Sequence, residues 1–265
     1  MSRARSLAGK RILITRARHQ AGRLAEALEA HGAEVLRLPT IEIVPPETYA
    51  HLDALLEVAS GFDWLIVTSA NGAAALADRL EFLGIPLQRL QHLQVAAIGP
   101  ATAAAVKRMG LNVSAMPGEY VAEAVVAMLR EKVAGQRVLL ARAAVARDVI
   151  PEQLRKSGAD IHVVEAYRTI IPAASIAQVG ELFGEGKALP DAVTFTSSST
   201  VNNFVALLAA ARMERPEGLR AVSIGPVTTR TLRQHKWEPA CEASPYDIPG
   251  VVAACVRQLA MPDPS

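Results

Sequence analysis

The chain has 265 residues, of which 51% are hydrophobic and 20% are charged, and its formal net charge is +2. This composition excludes a disordered chain, and the length favours one large or two small domains. The near-neutral charge excludes a general nucleic-acid-binding protein, which would carry a concentrated basic surface.

The other bulk features narrow the class further. No run approaches the ~18 apolar residues that a membrane helix needs. The apolar run near the N-terminus, Ile12 to Ile14, is too short for a signal peptide, so a cytoplasmic location is expected. The two cysteines, Cys241 and Cys255, form no CxxC pair, and the six histidines have no metal-ligand spacing, so neither a disulfide framework nor a metal site is expected.

The predicted elements alternate between strands and helices. The run RILIT (11–15) predicts a strand, and AEVLRL (33–38) predicts a second one. The segment between them predicts a helix that ends at Gly32. The apolar face of this helix consists of Ala21, Leu24, Ala25 and Leu28. Alternation of this kind continues along the chain and indicates βαβ units with a mainly parallel sheet.

The second half of the chain repeats the first. The segment 9–38, GKRILITRAR to HGAEVLRL, recurs as GQRVLLARAA to SGADIHVV at 135–164, and FDWLIVTSANGAAAL (62–76) resembles PDAVTFTSSSTVNNF (190–204). A third pair is LQVAAIGPATAAAV (93–106) and LRAVSIGPVTTRTL (219–232). The matched residues include Arg16 and Arg142, Ser69 and Ser197, Gly99 and Gly225, Thr102 and Thr228, and Tyr120 and Tyr246. The period is far too long for a solenoid, so it predicts two similar Rossmann- or flavodoxin-like lobes with a ligand cleft between them.

Two extended, proline-terminated segments, 39–47 and 165–173, occupy equivalent places in the two copies. They are interpreted as paired connectors between the lobes. On this interpretation residues 1–38 join 172–265 to form the first lobe, and residues 42–168 form the second. Pattern alone does not establish this crossover of the N-terminal βαβ piece.

Polar residues follow the predicted strands and lead into helices, where a parallel sheet binds its ligands. Free N–H groups at a helix start, hydroxyls and arginines favour carboxylates or phosphates, so the sequence predicts several anion sites. The candidate substrate-binding residues are Thr15, Arg16, Thr68, Ser69, Asn71, Gly99, Thr102, Arg142, Thr196, Ser197, Ser199, Gly225 and Thr228. For each hydroxyl, ordinary helix capping is the alternative, and for Arg16 and Arg142 it is a solvated side chain.

Tyr167 differs from these residues because its counterpart in the first copy is Ile41. A phenol in the connector could donate a proton to a substrate, or it could only pack there with its hydroxyl in water. The sequence contains no G-x-G-x-x-G turn between strand and helix, no P-loop, no G-x-S-x-G and no HExxH, so no cofactor is expected.

Together these motifs resemble the uroporphyrinogen-III synthase family over residues 9–256. The resemblance lies in ILITRAR, FDWLIVTSANG, VAAIGPATAAAV, EAYRT, VTFTSSSTVNNF and VSIGPVTTRTL, taken with their order and duplication. It implies two α/β lobes joined by a two-stranded connector, with the N-terminal βαβ piece in the C-terminal lobe.

The resemblance also implies a cofactor-free lyase reaction. The substrate would be hydroxymethylbilane, a linear tetrapyrrole with eight carboxylates, which loses its terminal hydroxyl as water and closes through a spiro intermediate that inverts ring D. Tyr167 corresponds to the family's proposed proton donor, and Thr228 and Ser197 correspond to its hydroxyl contacts. Val227 departs from the family pattern, in which many members carry a second threonine.

Two other functions are open alternatives. One is a two-lobed, non-catalytic sensor of a small polyanion, because fold does not determine function. The other is a nucleotide-dependent enzyme, against which the absence of a placed acidic residue for Mg²⁺ or ribose counts. A monomer is expected, with no nucleic-acid or membrane partner. The enzyme of the preceding pathway step is a further possible partner.

Overall fold

The computed structural model describes residues 6–260. The chain divides into two compact units. Unit 1 comprises Met1–Glu42 and Ile170–Ser265, and unit 2 comprises Ile43–Thr169. The chain therefore passes between the units inside the two segments that the sequence marks as connectors, 39–47 and 165–173.

The strands of the described residues fall into two sheets. They are β1 (Arg11–Ile14), β2 (Glu34–Arg37), β3 (Glu42–Val44), β4 (Trp64–Val67), β5 (Gln94–Ala97), β6 (Arg137–Ala143), β7 (Asp160–Ile170), β8 (Ala192–Phe195), β9 (Arg220–Ser223) and β10 (Cys241–Glu242). One sheet has the order β10-β9-β8-β1-β2, and the other has the order β3-β7-β6-β4-β5.

Helices alternate with these strands. They are α1 (Arg18–Ala30), α2 (Ala50–Glu57), α3 (Ala70–Phe82), α4 (Pro100–Arg108), α5 (Ala122–Leu129), α6 (Val149–Lys156), α7 (Ala173–Phe183), α8 (Ser198–Ala210), α9 (Pro226–Gln234) and α10 (Ile248–Leu259). The predicted α/β fold class is confirmed.

The apolar patterns account for these elements. The strands β4 and β8 are buried at every position, as expected for central parallel strands with helices on both faces. In α1 the predicted apolar face of Ala21, Leu24, Ala25 and Leu28 is buried. The helix ends next to Gly32, whose φ of 87° is the left-handed conformation that suits a C-terminal glycine.

The two sheets repeat the same register, which supports the predicted duplication. In unit 1, Ile12 pairs with Ala192, and in unit 2 the matched residues Val138 and Trp64 pair in the same parallel sense. The strand pairings at one edge of each sheet correspond as well. Cys241 pairs with Val222, and a single bridge joins the matched Ala115 and Ala96.

An aspartate carboxylate that binds the first residue of a neighbouring strand is also duplicated. The backbone N–H of Arg11 donates to Asp191 Oδ2 at 2.8 Å, and the backbone N–H of Arg137 donates to Asp63 Oδ2 at 2.8 Å. Each aspartate thus satisfies the first donor of a neighbouring central strand, which fixes where that strand begins.

The two copies differ in the length of the strands β2 and β7, which occupy equivalent positions. The strand β2 has four residues, whereas its counterpart β7 has eleven and continues through the predicted connector to Ile170. The strand β3, from the other connector, is its neighbour in the sheet. This extension carries Tyr167, which has no tyrosine counterpart in unit 1.

Candidate functional site

Tyr167 and Ser69 form the most distinctive polar contact of unit 2. Ser69 lies at the N-terminus of α3, where its Oγ accepts the N–H of Gly72 at 3.0 Å. The same hydroxyl donates to Tyr167 Oη at 2.9 Å. The helix start thus holds the phenol oxygen while the phenol's own proton remains available to another acceptor.

A β-bulge places Tyr167 in this position. Arg142 of β6 pairs with Glu165, but the next residue, Ala143, pairs with Tyr167, so Ala166 is an extra residue in β7. Side chains alternate along a regular strand, and a bulge changes which face the following residues reach. Ala166 packs in the core beside α3, and Tyr167 packs against that same core.

The counterpart of Ser69 is used differently. Ser197 accepts the N–H of Thr200 at 3.2 Å, and Thr200 Oγ1 accepts the N–H of Ser197 at 3.2 Å, which completes a capping box at the start of α8. The capping interpretation therefore holds for both serines, and Ser69 additionally contacts the tyrosine. Helix capping and anion binding use the same N–H groups.

Each Gly-Pro turn lies under a tyrosine ring. A Cβ on Gly99 would lie 3.4 Å from Cγ of Tyr120, and one on Gly225 would lie 3.2 Å from Cγ of Tyr246. Both tyrosines are exposed, at 56% and 63%. The repeat matches these two tyrosines to each other, but the sequence alone indicates no role for them. Their contact with the helix starts is what makes them candidate site residues.

Several predicted hydroxyls bond to backbone carbonyls. The hydroxyl of Thr15, which is fully buried, donates to the Thr194 carbonyl at 2.9 Å. Thr102, in the first turn of α4, donates at 2.9 Å to the carbonyl of Ile98, which lies just before that helix begins. Thr68 makes a longer bond of 3.4 Å to the Ala141 carbonyl. Thr15 thus joins neighbouring strands, while Thr68 lies half-buried at the end of β4.

The remaining hydroxyl and amide candidates lie near the same strand ends. Thr228 is buried in the first turn of α9. Asn71 and Thr196 are half-buried, and Ser199 is exposed in the first turn of α8. Val227, where the family pattern favours threonine, is 65% exposed.

Arg16 is a half-buried arginine without an acidic partner among residues 6–260. Its Nε is buried and has no hydrogen-bond partner in the described part of the chain. Burial lowers the pKa of Arg16. It lines a cavity of about 530 Å³ together with Arg18, Arg37 and Gln178. A buried guanidinium N–H requires an acceptor, and a ligand carboxylate in this cavity would supply one.

Arg142, the counterpart of Arg16, is placed differently from the prediction. The sequence put it directly before a helix, but it lies inside β6, and α6 begins only at Val149. Its guanidinium donates to Asp148 Oδ1 at 2.6 Å and to the Arg147 carbonyl at 3.1 Å. It borders one cavity of about 440 Å³ and a second of about 210 Å³.

The structure therefore brings two groups of predicted residues together in unit 2. Ser69 and Tyr167 meet at the start of α3, and Thr68 and Arg142 share the 210 Å³ cavity with Tyr120. In unit 1, Arg16 lines its own cavity without Ser197, Gly225 or Thr228.

Two further observations concern residues 6–260 as a whole. No group of three or more histidine, cysteine, aspartate or glutamate side chains in this range is arranged to hold a metal ion. None of its helices is both long and apolar enough to cross a membrane.

Comparison with known proteins identifies the family. The family model described as "Uroporphyrinogen-III synthase HemD" matches residues 22–253, which is most of the chain. The chain belongs to the uroporphyrinogen-III synthase family. The family resemblance predicted from the motifs, and the function predicted from it at the level of the family, are thereby confirmed.

Individual relatives agree with this assignment. The chain is 34% identical over 260 residues to a uroporphyrinogen-III synthase from Synechococcus elongatus, covering 94% of this chain and 95% of that protein. It is also 34% identical over 232 residues to a putative uroporphyrinogen-III synthase from Methanothermobacter thermautotrophicus, covering 84% and 89%. A crystal structure of a mutant uroporphyrinogen III synthase from Thermus thermophilus shares the fold, with a TM-score of 0.65, 20% identity and coverage of 95% and 99%.

Proposed function

We propose that this chain is a working lyase that closes hydroxymethylbilane into uroporphyrinogen III with inversion of ring D and loss of water. The observation that carries the proposal is the Tyr167–Ser69 pair within a chain of this family. No cofactor takes part in the proposed reaction. The substrate supplies the leaving hydroxyl and the attacking pyrrole, so the protein's task is to assist departure and to enforce a conformation.

In this proposal Tyr167 is the acid. Its phenol proton passes to the terminal hydroxyl of the substrate as the carbon–oxygen bond breaks, so that water leaves and a cation forms on ring A. The contact from Ser69 supports this role, because Ser69 donates to the phenol oxygen at 2.9 Å and leaves the phenol proton for the substrate. The ring carbon that finally closes the macrocycle releases one proton, which balances the proton that the phenol gave.

The substrate's carboxylates require several separate anion sites. Support comes from Arg16, whose buried Nε has no hydrogen-bond partner in the part of the chain that the structure describes, and from Arg142, which borders two cavities. Ser197, Thr228 and the first turns of α8 and α9 provide further donors in unit 1. Distributing carboxylates over fixed donors would hold the chain of pyrroles in the conformation that favours attack by the substituted carbon of ring D.

Isomer analysis tests this function directly. Hydroxymethylbilane is generated in situ, the protein is added, the product is oxidised and porphyrin isomers I and III are separated by chromatography. Predominantly isomer III supports the proposal, because the substrate closes by itself to isomer I. Only isomer I, from protein that circular dichroism shows to be folded, would overturn it and favour a binding protein without this chemistry.

A further inference from the structure

The 210 Å³ cavity of unit 2 is lined by a mixture of apolar and cationic groups. Its walls include Ile98, Ile150 and Tyr120, and its polar groups include Thr68, Arg142 and Arg147. Complete small-molecule ligands usually occupy pockets of about 300–1,000 Å³. A cavity of 210 Å³ therefore suits one arm of a larger ligand.

Both arginines of this cavity are paired with acidic residues of the same unit. Arg142 donates to Asp148 at 2.6 Å. Arg147 donates to both carboxylate oxygens of Glu123, at 2.8 and 3.3 Å. The two pairs differ in exposure. The Arg142 side chain is only 14% exposed and its partner Asp148 is 61% exposed, whereas Arg147 and Glu123 are both exposed, at 66% and 57%. Arg142 thus belongs to the inner wall of the cavity, and the Arg147–Glu123 pair lies at its solvent-exposed rim.

We infer that this cavity is a carboxylate subsite of the proposed enzyme, in which Arg147 and Tyr120 join Arg142 and Thr68. Glu123 and Asp148 occupy the two guanidinium groups in the free protein, and a carboxylate arm of the tetrapyrrole displaces Glu123 when it binds. The inference rests on the proposed function and assigns roles to residues beyond those predicted from sequence.

Exchange of one carboxylate for another is energetically feasible here. The Arg147–Glu123 pair is exposed on both sides, so water and salt screen it and its loss costs little. A backbone hydrogen bond and then the hydrogen bond from Arg147 lower the pKa of Glu123, so this residue is ionised at neutral pH and competes as an anion. A ligand arm that enters the cavity gains the same bidentate contact together with apolar burial against Ile98 and Ile150.

The decisive experiment compares the two partners of one ion pair. Arg147→Gln removes the cation that holds the ligand, and it should raise the KM for hydroxymethylbilane about tenfold with little change in kcat. Glu123→Gln removes only the competing anion, and it should lower KM by about two- to fivefold. Arg130→Gln is the matched control, because Arg130 is an exposed arginine paired with Glu131 and should leave KM unchanged.

Opposite changes in KM for the two variants distinguish a substrate subsite from an ion pair that only stabilises the fold. If the pair only stabilised the fold, both substitutions would break the same contact and change KM and melting temperature in the same direction, which would overturn the inference. Wild-type turnover to isomer III in the same assay tests the proposed function separately. Without turnover, calorimetric titration with uroporphyrin III applies the same criterion, since Arg147→Gln should weaken binding and Glu123→Gln should strengthen it. Equal affinities would refute the subsite.

Discussion

Substitution of Ser69 by alanine tests whether this residue acts through Tyr167. The change removes the N-terminal cap of α3 and the hydrogen bond to the phenol oxygen. Loss of a cap costs about 1 kcal/mol, and loss of the second hydrogen bond costs about 1 kcal/mol more. We therefore expect Ser69→Ala to lower the free energy of unfolding by about 1–2 kcal/mol in urea titrations. Ser197→Ala, which removes only a cap, should cost about 1 kcal/mol.

The kinetic consequence follows from the acid role of Tyr167. A positioned general acid contributes about 10²–10⁴-fold, so Tyr167→Phe should lower kcat by at least about 10²-fold. Ser69→Ala leaves the phenol in place but loosens its orientation. We expect it to lower kcat by about tenfold, which corresponds to one hydrogen bond of about 1.4 kcal/mol.

The double variant decides the matter. If Ser69 acts only by orienting the phenol hydroxyl, Ser69→Ala should have almost no further effect on kcat in the Tyr167→Phe background. Rates of isomer III formation by the wild type, the two single variants and the double variant give the coupling energy between Ser69 and Tyr167 directly. A tenfold loss in both backgrounds would refute the argument and make Ser69 an independent substrate contact. Unaltered turnover in Tyr167→Phe would remove the acid role itself.

Three further predictions concern stability. Gly99→Ala should cost about 1–3 kcal/mol in urea titrations, because φ of 88° with ψ of 162° is accessible almost only to glycine, whereas Gly225→Ala at an extended φ of 171° should cost less. Arg79→Lys should cost about 1–2 kcal/mol by the same titration, because lysine cannot reproduce the two hydrogen bonds to Asp53 at 2.9 and 2.6 Å or the stacking on Tyr49. Burial raises the pKa of Cys255 to about 12 from 9.0, so the unfolded chain loses its proton first and stability falls as pH rises from 9 towards 12. Unfolding titrations at about pH 8 and about pH 10 should show this loss in the wild type and not in Cys255→Ala.

The sequence predicted the fold class because its signals are local and duplicated. The apolar face of α1 and the glycine at its end follow from helical periodicity, and the repeat offset predicts which strands correspond. The pairing of Ile12 with Ala192 and of Val138 with Trp64 is the physical result of that duplication. The length of β7 did not follow from the sequence, since its eleven residues merge a predicted strand with a predicted connector.

The candidate site was less accessible to sequence reasoning. Ser69 and Tyr167 were both candidates, but the contact between them depends on a bulge at Ala166, and no composition signal marks a bulge. Sequence reasoning missed Arg147 because its partner, Glu123, is 24 residues away along the chain and no pattern links the two. The match of Tyr120 with Tyr246 was the one signal that could have identified the aromatic residues above the Gly-Pro turns.

The two units share most features of the duplicated module but differ at the start of the helix that follows their matched strands β4 and β8. Both keep the aspartate that starts a central strand and the tyrosine over a Gly-Pro turn, so these features belong to the shared module. Within residues 6–260, a bulged strand whose tyrosine contacts the serine that caps a helix occurs in unit 2 alone, and in unit 1 the matched Ser197 bonds with Thr200 instead. A duplicated binding module can hold a ligand with repeated anionic arms in both halves, but a single leaving hydroxyl needs one proton donor. The asymmetry therefore favours anion binding by both units and proton donation by unit 2 alone.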